Sequence, residues 1–287
     1  MYNSARWLGQ SIESILGQTF RDLELVISDN ASTDGSFVIA QGYAQRDRRV
    51  RVFRNPVNVG VDHNYSLVVG YARGEYFKWA SSNDLCDLTL IEKCVRVLDT
   101  SPDVGLCYSR TKLFVDTPAQ GEEYTIGIQT VDEVPLARFR YVLEHIGLNN
   151  AINGLIRTNV LRRTSLIRPY YASDVTLLAE IALRSKILEL PELLFFRRFD
   201  QTSATALQDA ITFRKSHFPT AGFGMLFQKW RRCWGYVSAV LRADLTPTQR
   251  LRGLTYVAKR WYWALPELYA DLGEAVTILS KKNSSVR

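Results

Sequence analysis

Of 287 residues only four are cysteine (Cys86, Cys94, Cys107 and Cys233), and no two stand in CxxC spacing. That scarcity excludes a zinc ribbon or a disulfide framework, and the four read as reduced thiols of a cytosolic protein. Histidine is scarcer still. His63, His145 and His217 are not in a ligand spacing, so each is expected as a surface or satisfied core residue. No apolar run approaches the ~20 residues that span a bilayer. Helical patterning begins within the first few residues, which predicts no signal peptide. The protein is therefore expected to be soluble, or at most peripheral to a membrane. There is no internal repeat and no low-complexity segment.

What is present is ordinary in amount and uneven in place. The length suits one large α/β domain with an appendage, or two modest domains. The net charge of +7 is local. From Ala206 onward there are thirteen Lys or Arg against five Asp or Glu, a surplus of eight, so the preceding body carries about −1. Four of the six tryptophans (Trp230, Trp234, Trp261 and Trp263) share that tail. A basic, aromatic, helical region suits a surface that meets anionic headgroups, or one that simply packs on the main domain. No recognition motif accompanies the charge, so nucleic acid is not expected as a partner.

The apolar spacing predicts helices over Ala5–Gln18, Ser36–Arg46, Asp62–Ala72, Leu88–Asp99, Pro135–His145 and Asp174–Arg184, alternating with short strands. Strands are expected at Leu23–Ser28, Val50–Phe53 and Glu75–Ala80, then as a pair at Val104–Ser109 and Lys112–Val115. Another is expected near Ala151–Ile156, and Ile187–Leu190 with Leu193–Phe199 close the α/β part. Thr117–Val131 reads as a loop. This rhythm predicts an α/β fold with a mostly parallel sheet flanked by helices. Beyond it, Thr246-Pro247-Thr248-Gln249 is a capping box that opens a helix to about Leu265.

The most informative stretch runs from Leu23 to Ser36. An apolar burst (Leu23, Leu25, Val26, Ile27) ends at Asp29, then come small polar residues, then a new helical pattern. This is a buried strand emptying into a loop at its carboxyl end, where open α/β sheets bind ligands. Asp29 accepts hydrogen bonds only and suits a base N–H or ribose hydroxyls. Ser32, Thr33 and Asp34 can cap the next helix, and an ordinary strand-turn-helix junction would look the same. Two further polar clusters stand at chain switches: Asn58, Gly60 and Asn64 before a helix, and Asn83-Asp84 after a strand.

Together these segments resemble the family 2 glycosyltransferases of the GT-A fold. The resemblance is carried by Tyr2-Asn3-Ser4-Ala5-Arg6-Trp7-Leu8, Ser14-Ile15-Leu16-Gly17-Gln18-Thr19-Phe20 and Leu25 to Ser36. Arg54-Asn55 with Asn58-Val59-Gly60, and Ala72-Arg73-Gly74-Glu75-Tyr76 before Asn83-Asp84, complete it over roughly residues 2 to 110. It implies a GT-A domain over 1–205 with a helical extension over 206–287. It also implies transfer of a sugar from a nucleotide-diphosphate-sugar donor to a glycan or lipid-linked acceptor. Asp29 would hold the donor's base or ribose, with Asn3, Asp34, Asn58 and Asn64 shaping that pocket. The acidic metal element would fall at Ser82-Asn83-Asp84, with Asp84 and Asn83 holding Mg²⁺ or Mn²⁺ against the diphosphate. Asp84 is the only carboxylate of that triplet, which points to a weaker or metal-optional site.

In the second half, Tyr171-Ala172-Ser173-Asp174 resembles the segment that carries the family's catalytic base. It makes Asp174 the group that deprotonates the acceptor in an inverting transfer, while a plain helix N-cap is the alternative. Glu180, inside the helix, is expected to be structural. Pro191 to Asp200 resembles the stretch after the last strand, where Arg198 would clamp diphosphate. Asp200 stands where relatives often carry histidine, so no metal role is expected there. The family also begins with an apolar strand ahead of a turn like Tyr2-Asn3, and this sequence starts in the turn. An upstream start of the natural chain is the expectation that follows. The location implied is the cytoplasm, with peripheral contact at the inner membrane face. Two competing readings are a catalytically silent nucleotide-sugar-binding or scaffold protein, and a nucleotidyltransferase. The second lacks a Gly-rich triphosphate loop with a following Lys.

Overall fold

The computed structural model describes residues 1–199 and 226–284. The boundary expected at 205/206, and also Asp200 and His217, lie outside the described residues. In the first hundred residues, α1 (Ala5–Leu16), α2 (Ser36–Arg46), α3 (Val61–Tyr71) and α4 (Leu90–Thr100) alternate with β1 (Leu25–Asp29), β2 (Val50–Arg54), β3 (Tyr76–Phe77) and β4 (Leu85–Cys86). Then follow β5 (Val104–Phe114), β6 (Glu122–Tyr124), α5 (Pro135–His145), β7 (Leu155–Arg157), α6 (Thr158–Leu161), α7 (Ser173–Arg184) and β8 (Lys186–Arg198). The extension is α8 (Gln228–Arg242), α9 (Pro247–Trp263) and α10 (Leu265–Ser284). The expected capping box is present: Thr246 accepts from the Gln249 N–H, and Gln249 accepts from the Thr246 N–H.

The strands form two sheets. β1 and β2 pair in parallel, Leu25 opposite Val50 through Asp29 opposite Arg54. The larger sheet has the order β3-β7-β5-β8-β4, with β6 added to β5. Among the described residues only its β5–β8 pairing is parallel, so the expected parallel bias is corrected to a mixed sheet. Two expected strand pairs are also single long strands. Val104–Phe114 runs unbroken through Arg110-Thr111-Lys112, and Lys186–Arg198 runs through Pro191-Glu192. The ladder shifts register at both polar interruptions, stepping from Ser109–Leu190 to Arg110–Leu193. A bulge there absorbs a proline that cannot donate to a ladder.

Helix faces follow from their apolar spacing. α1 turns Leu8 and Ile12 onto Leu25, Ile27 and Val50. α4 lays Leu90, Cys94 and Leu98 on Val104, Cys107 and Leu194 of the large sheet. The opposite face of that sheet is covered by α5 and α7, whose Phe139, Leu177 and Ile181 join Leu106, Ile156 and Ile187. The extension packs on this core through Tyr236, Ala239, Val240 and Val257. Glu180 fastens the seam, fully buried, with its carboxylate accepting the Ser165 N–H and Oγ–H and an Arg242 N–H at 2.9, 2.6 and 2.7 Å. It is structural, as expected.

Between the two sheets lies a cavity of about 640 Å³, bounded by Leu25–Ser28 of β1 on one side and Tyr76–Ser81 on the other. Met1 sits at its upper end. The Met1 amino group donates to the Ser28 carbonyl at 2.7 Å, and the Asn30 N–H donates to the Met1 carbonyl at 2.9 Å. Burial pushes that amine down to about 6, although the Asp29 charge pulls the other way.

Removing the Glu180 carboxylate takes the ion pair from Arg242 and from the buried Arg184, and leaves the buried Ser165 N–H without its acceptor. Glu180→Ala should lower unfolding free energy by about 3 kcal/mol or more in urea titrations.

Candidate active site

The four carboxylates singled out by sequence, Asp29, Asp34, Asp84 and Asp174, all lie at chain switches. Asp29 ends β1 with no solvent exposure. Its carboxylate accepts the Ser32 N–H at 3.3 Å and pairs with Arg54 Nε at 3.2 Å, across the end of the β1–β2 ladder. Arg54 also lies over the Phe37 ring and donates to the Ser32 carbonyl. The loops around Asp29 are tied by amides. Asn30 Nδ2 donates to Asn58 Oδ1, and Asn55 Nδ2 donates to both Asn30 Oδ1 and Asn64 Oδ1. Asn64, buried, accepts from Ser28 Oγ at 2.7 Å and donates to its carbonyl at 3.2 Å. Gly60 opens α3 with φ +88°, a region that side chains with a Cβ rarely adopt.

Asn3 and Asp34 form the rim beside this network. Asn3 Oδ1 accepts the Thr33 N–H at 2.9 Å. Asp34 accepts the Ala5 N–H at 2.9 Å and the Ser36 N–H and Oγ–H at 3.1 and 2.5 Å, so it caps α1 as well as α2. Those bonds hold its carboxyl below the usual carboxylate range against the opposing effect of burial. Both residues therefore shape the pocket wall by fixing loops.

Asp84 is buried in the turn after β3. Burial raises its carboxyl, offset by a hydrogen bond from the Arg198 N–H and by the charges of Arg197 and Lys78. That Arg198 N–H to Asp84 Oδ1 distance is 2.8 Å. The sequence reading of Arg198 as a diphosphate clamp is corrected here. Its side chain is only 1% exposed and lies between the rings of Trp7 and Phe114, 3.7 and 4.4 Å from their centroids. Its N–H groups go to the carbonyls of Asn83, Val115 and Asp116 and to Gln10 Oε1. A guanidinium donates five N–H bonds in a fixed fork, and these partners occupy it as a brace.

Asp174 stands half-buried in the first turn of α7, where the helix N-terminus favours its charge. Asn149 Nδ2 donates to Asp174 Oδ2 at 2.5 Å, and the Val175 N–H donates to Oδ1. Asp62, on the first turn of α3, is a site residue that the sequence reading passed over as part of a helix start. Burial and the Asp174 charge push its carboxyl up to about 8, so it carries a proton at neutral pH. Tyr65 ties the halves together. Its hydroxyl lies 3.2 Å from Ser81 Oγ, and it feels the charges of Asp84, Arg197 and Asp62. Among the described residues, six non-glycine positions have positive φ, and Asn3, Ala31, Asn149 and Ala172 of these flank Asp29 or Asp174. Such backbone persists where surrounding structure holds it, and it clusters at functional sites.

Among the described residues no three His, Cys, Asp or Glu side chains converge on a point that could hold a metal ion. The oxygen donors at the turn are the Asp84 carboxylate and the Asn83 amide. That set fits Mg²⁺ or Mn²⁺ only as a cation also bound by substrate phosphates, because such ions are held through one or two carboxylates plus phosphate and water.

Comparison with known proteins converges on one family. The family model described as glycosyl transferase family 2 matches residues 1–170. An uncharacterised glycosyltransferase of Haemophilus influenzae is 26% identical over 213 residues, 71% of this chain and 65% of that protein. The putative glycosyltransferase EpsE of Bacillus subtilis is 35% identical over 100 residues, 34% of this chain and 36% of that protein. The chain thus spans from about a third to just under two thirds of the length of these relatives. Among solved structures, Staphylococcus aureus TarS 1–349 in complex with UDP-GlcNAc superposes with a TM-score of 0.64 at 16% identity, covering 91% of this chain and 70% of that one. The mannosyltransferase PcManGT from Pyrobaculum calidifontis, in complex with GDP-Man and Mn²⁺, gives 0.54 at 17% identity, over 99% and 77%. At such identities the likeness is one of fold, here the GT-A fold. With more than half of its length matched by the family model, the chain belongs to glycosyl transferase family 2.

Proposed function

We propose that the protein transfers a sugar from a nucleoside-diphosphate-sugar donor to a hydroxyl acceptor, by inverting displacement. What supports this reading is that α3 links the three carboxylates: the charge of Asp174 acts on Asp62, that of Asp84 acts on Tyr65, and Ser28, beside Asp29, bonds Asn64. Asp29 accepts the donor's base N–H or ribose hydroxyls. Arg54 covers that carboxylate, so donor binding displaces Arg54 from Asp29. Asp84 and Asn83 would hold a divalent cation, which would supply charge compensation for the departing diphosphate. Lys78 and Arg197, whose charges act on Asp84, add cationic character to the same turn. Asp174 takes the acceptor's proton as its oxygen attacks the anomeric carbon. Asn149 fixes the carboxylate for that task, and protonated Asp62 beside it keeps a second negative charge out of the pocket. A catalytically silent donor-binding protein is the reading this one displaces.

The acceptor side of the proposal is a glycan or lipid-linked precursor at the inner face of the cell membrane. No helix among the described residues is long and apolar enough to cross a membrane. Contact at the surface is supported by α8 and α9, which carry eight Lys or Arg and no Asp or Glu. Trp230 and Trp234 stand edge-on to Trp261. Apolar side chains of α9 face outward, Trp263 80% exposed and Tyr262 and Leu251 each about two-thirds exposed, as is Tyr269 of α10.

Asp174→Asn should abolish sugar transfer while leaving nucleoside-diphosphate affinity unchanged in calorimetry; normal turnover would remove Asp174 as the base. Asp29→Ala should weaken nucleotide binding by about 1–3 kcal/mol, the worth of charge-assisted hydrogen bonds. Asp62 holds its proton in the folded chain to about pH 8, against an ordinary value of 3.8. Wild-type stability is therefore lost as pH rises through that window, and Asp62→Asn should be relatively more stable at pH 8.5 than at pH 4.5. In flotation assays, vesicles containing phosphatidylglycerol should carry the protein and phosphatidylcholine vesicles should not. The double change Tyr262→Ala, Trp263→Ala should reduce that binding several-fold.

A further inference from the structure

The helical extension reaches the turn that carries Asp174. α7 and α8 each open on a residue in the left-handed region, Ala172 and Phe227, both with φ 58°. That region is unfavourable for a residue with a Cβ and persists where its surroundings hold it. Alanine and phenylalanine also have no side-chain oxygen, so the first N–H groups of both helices must find acceptors elsewhere. Contacts from distant segments hold the two openings. The Tyr171 N–H donates to Gln228 Oε1 at 2.8 Å, joining the residue before Ala172 to the residue after Phe227. Gln228 is buried. Further along α8, a Cβ added to Gly235 would stand 2.4 Å from Tyr170 Oη and 3.1 Å from Thr176 Cγ2. α8 thus crosses close to the chain on either side of Asp174.

For α8 the acceptor is Asp271 of α10. Its Oδ2 takes the Lys229 N–H at 3.0 Å and the Trp230 N–H at 3.4 Å, and the residue is buried. A carboxylate at this end also suits the helix dipole. Trp230 Nε1 donates to the Leu268 carbonyl at 3.1 Å, and Glu267 faces Lys229 and Arg232 at 3.9 and 3.8 Å, so α10 is registered on the first turn of α8. A continuous path results. Asp271 fixes the start of α8, and Gln228 at that start fixes Tyr171. One turn later Asp174 accepts from Asn149 Nδ2 and from the Val175 N–H. A general base works only within hydrogen-bond reach of the proton it takes, and a misplacement of about 1 Å can cost about 100-fold in rate.

We propose that Gln228 and Asp271 are positioning residues for Asp174, which makes the extension a working part of the transfer site. Gln228 holds the turn in which the Ser173 N–H donates to the Tyr170 carbonyl, and with it the direction in which α7 presents its first carboxylate. Asp271 acts one step further back, by capping the helix that presents Gln228. Neither residue is assigned a contact with donor or acceptor. The inference rests on the reading of Asp174 as the base.

The test uses the full chain and two pairs of variants. Gln228→Leu removes the acceptor for the Tyr171 N–H, and Gln228→Glu keeps an oxygen on a side chain of the same length. Asp271→Ala removes the cap, and Asp271→Asn keeps one acceptor oxygen. The first readout is the NMR signal of the Asn149 side-chain amide, which is bonded to Asp174. The second is UDP and GDP affinity by calorimetry. The third is hydrolysis of a panel of UDP- and GDP-sugars with Mn²⁺, water taking the acceptor's place. Gln228→Leu and Asp271→Ala should shift the Asn149 signal and lower turnover at saturating donor at least about tenfold, with nucleotide affinity unchanged. Gln228→Glu and Asp271→Asn should retain most of the turnover. An unmoved Asn149 signal in Gln228→Leu overturns the proposal. Nucleotide affinity lost in step with turnover overturns it too, since that is general disruption and not positioning. So does unchanged turnover, and Asp174→Asn measured alongside then separates the two readings. If that variant is inactive, Asp174 stays the base and only the positioning falls; if it is active, the base assignment falls as well.

Discussion

The buried guanidinium of Arg198 is the constraint on which the arrangement rests. A cation removed from water costs several kcal/mol unless its donors are matched, so this side chain dictates where its partners stand. Those partners come from α1, the turn after β3 and the chain leaving β5, and they meet at the end of β8 where Arg198 stands. Sandwiched between Trp7 and Phe114, it joins the small-sheet half of the molecule to the large sheet at the level of the site. Its own N–H, rather than its side chain, reaches Asp84. The residue thus positions a carboxylate by fixing the backbone that presents it.

The polar side of the pocket depends on a second device, the amide network of Asn30, Asn55, Asn58 and Asn64 under Asp29. Buried amides of this kind are high-stakes: satisfied, they specify a single arrangement of loops. Because Asn64 shares the first turns of α3 with Asp62 and Tyr65, the network also transmits the position of β1 to the Asp84 and Asp174 side. The electrostatics follow from that closeness. Carboxylates around one helix turn cannot all be charged at low cost, and it is Asp62, the buried one next to Asp174, that retains its proton.

Much of this was legible in the residues. Local signals carried well: the apolar burst ending at Asp29, the glycine before α3, the helix over Pro135–His145 and the capping box at Thr246 all correspond to what the chain forms. What failed was non-local. Arg110-Thr111-Lys112 and Pro191-Glu192 read as breaks because polarity and proline interrupt a strand pattern, yet a register shift let both strands continue. Strand direction in the large sheet is set by pairing among β5, β7 and β8, which no local pattern encodes. Arg198 read as an anion clamp because an arginine near a strand end has that chemistry, and only tertiary packing shows its donors already matched. Asp62 and Asn149 carry no local signal at all; their meaning comes from Asp174, whose charge acts on the first and whose carboxylate accepts from the second.

The central claim is that one donor site lies among Asp29, Asp84 and Asp174. A crystal structure of the full chain soaked with a nucleoside-diphosphate sugar and Mn²⁺ tests it most directly. The account predicts the base against Asp29 with Arg54 moved aside, the diphosphate at Asn83-Asp84, and the anomeric carbon facing Asp174. Donor density elsewhere, such as on the arginine-rich face around Arg21, Arg48 and Arg73, with Arg54 still paired to Asp29, would contradict it.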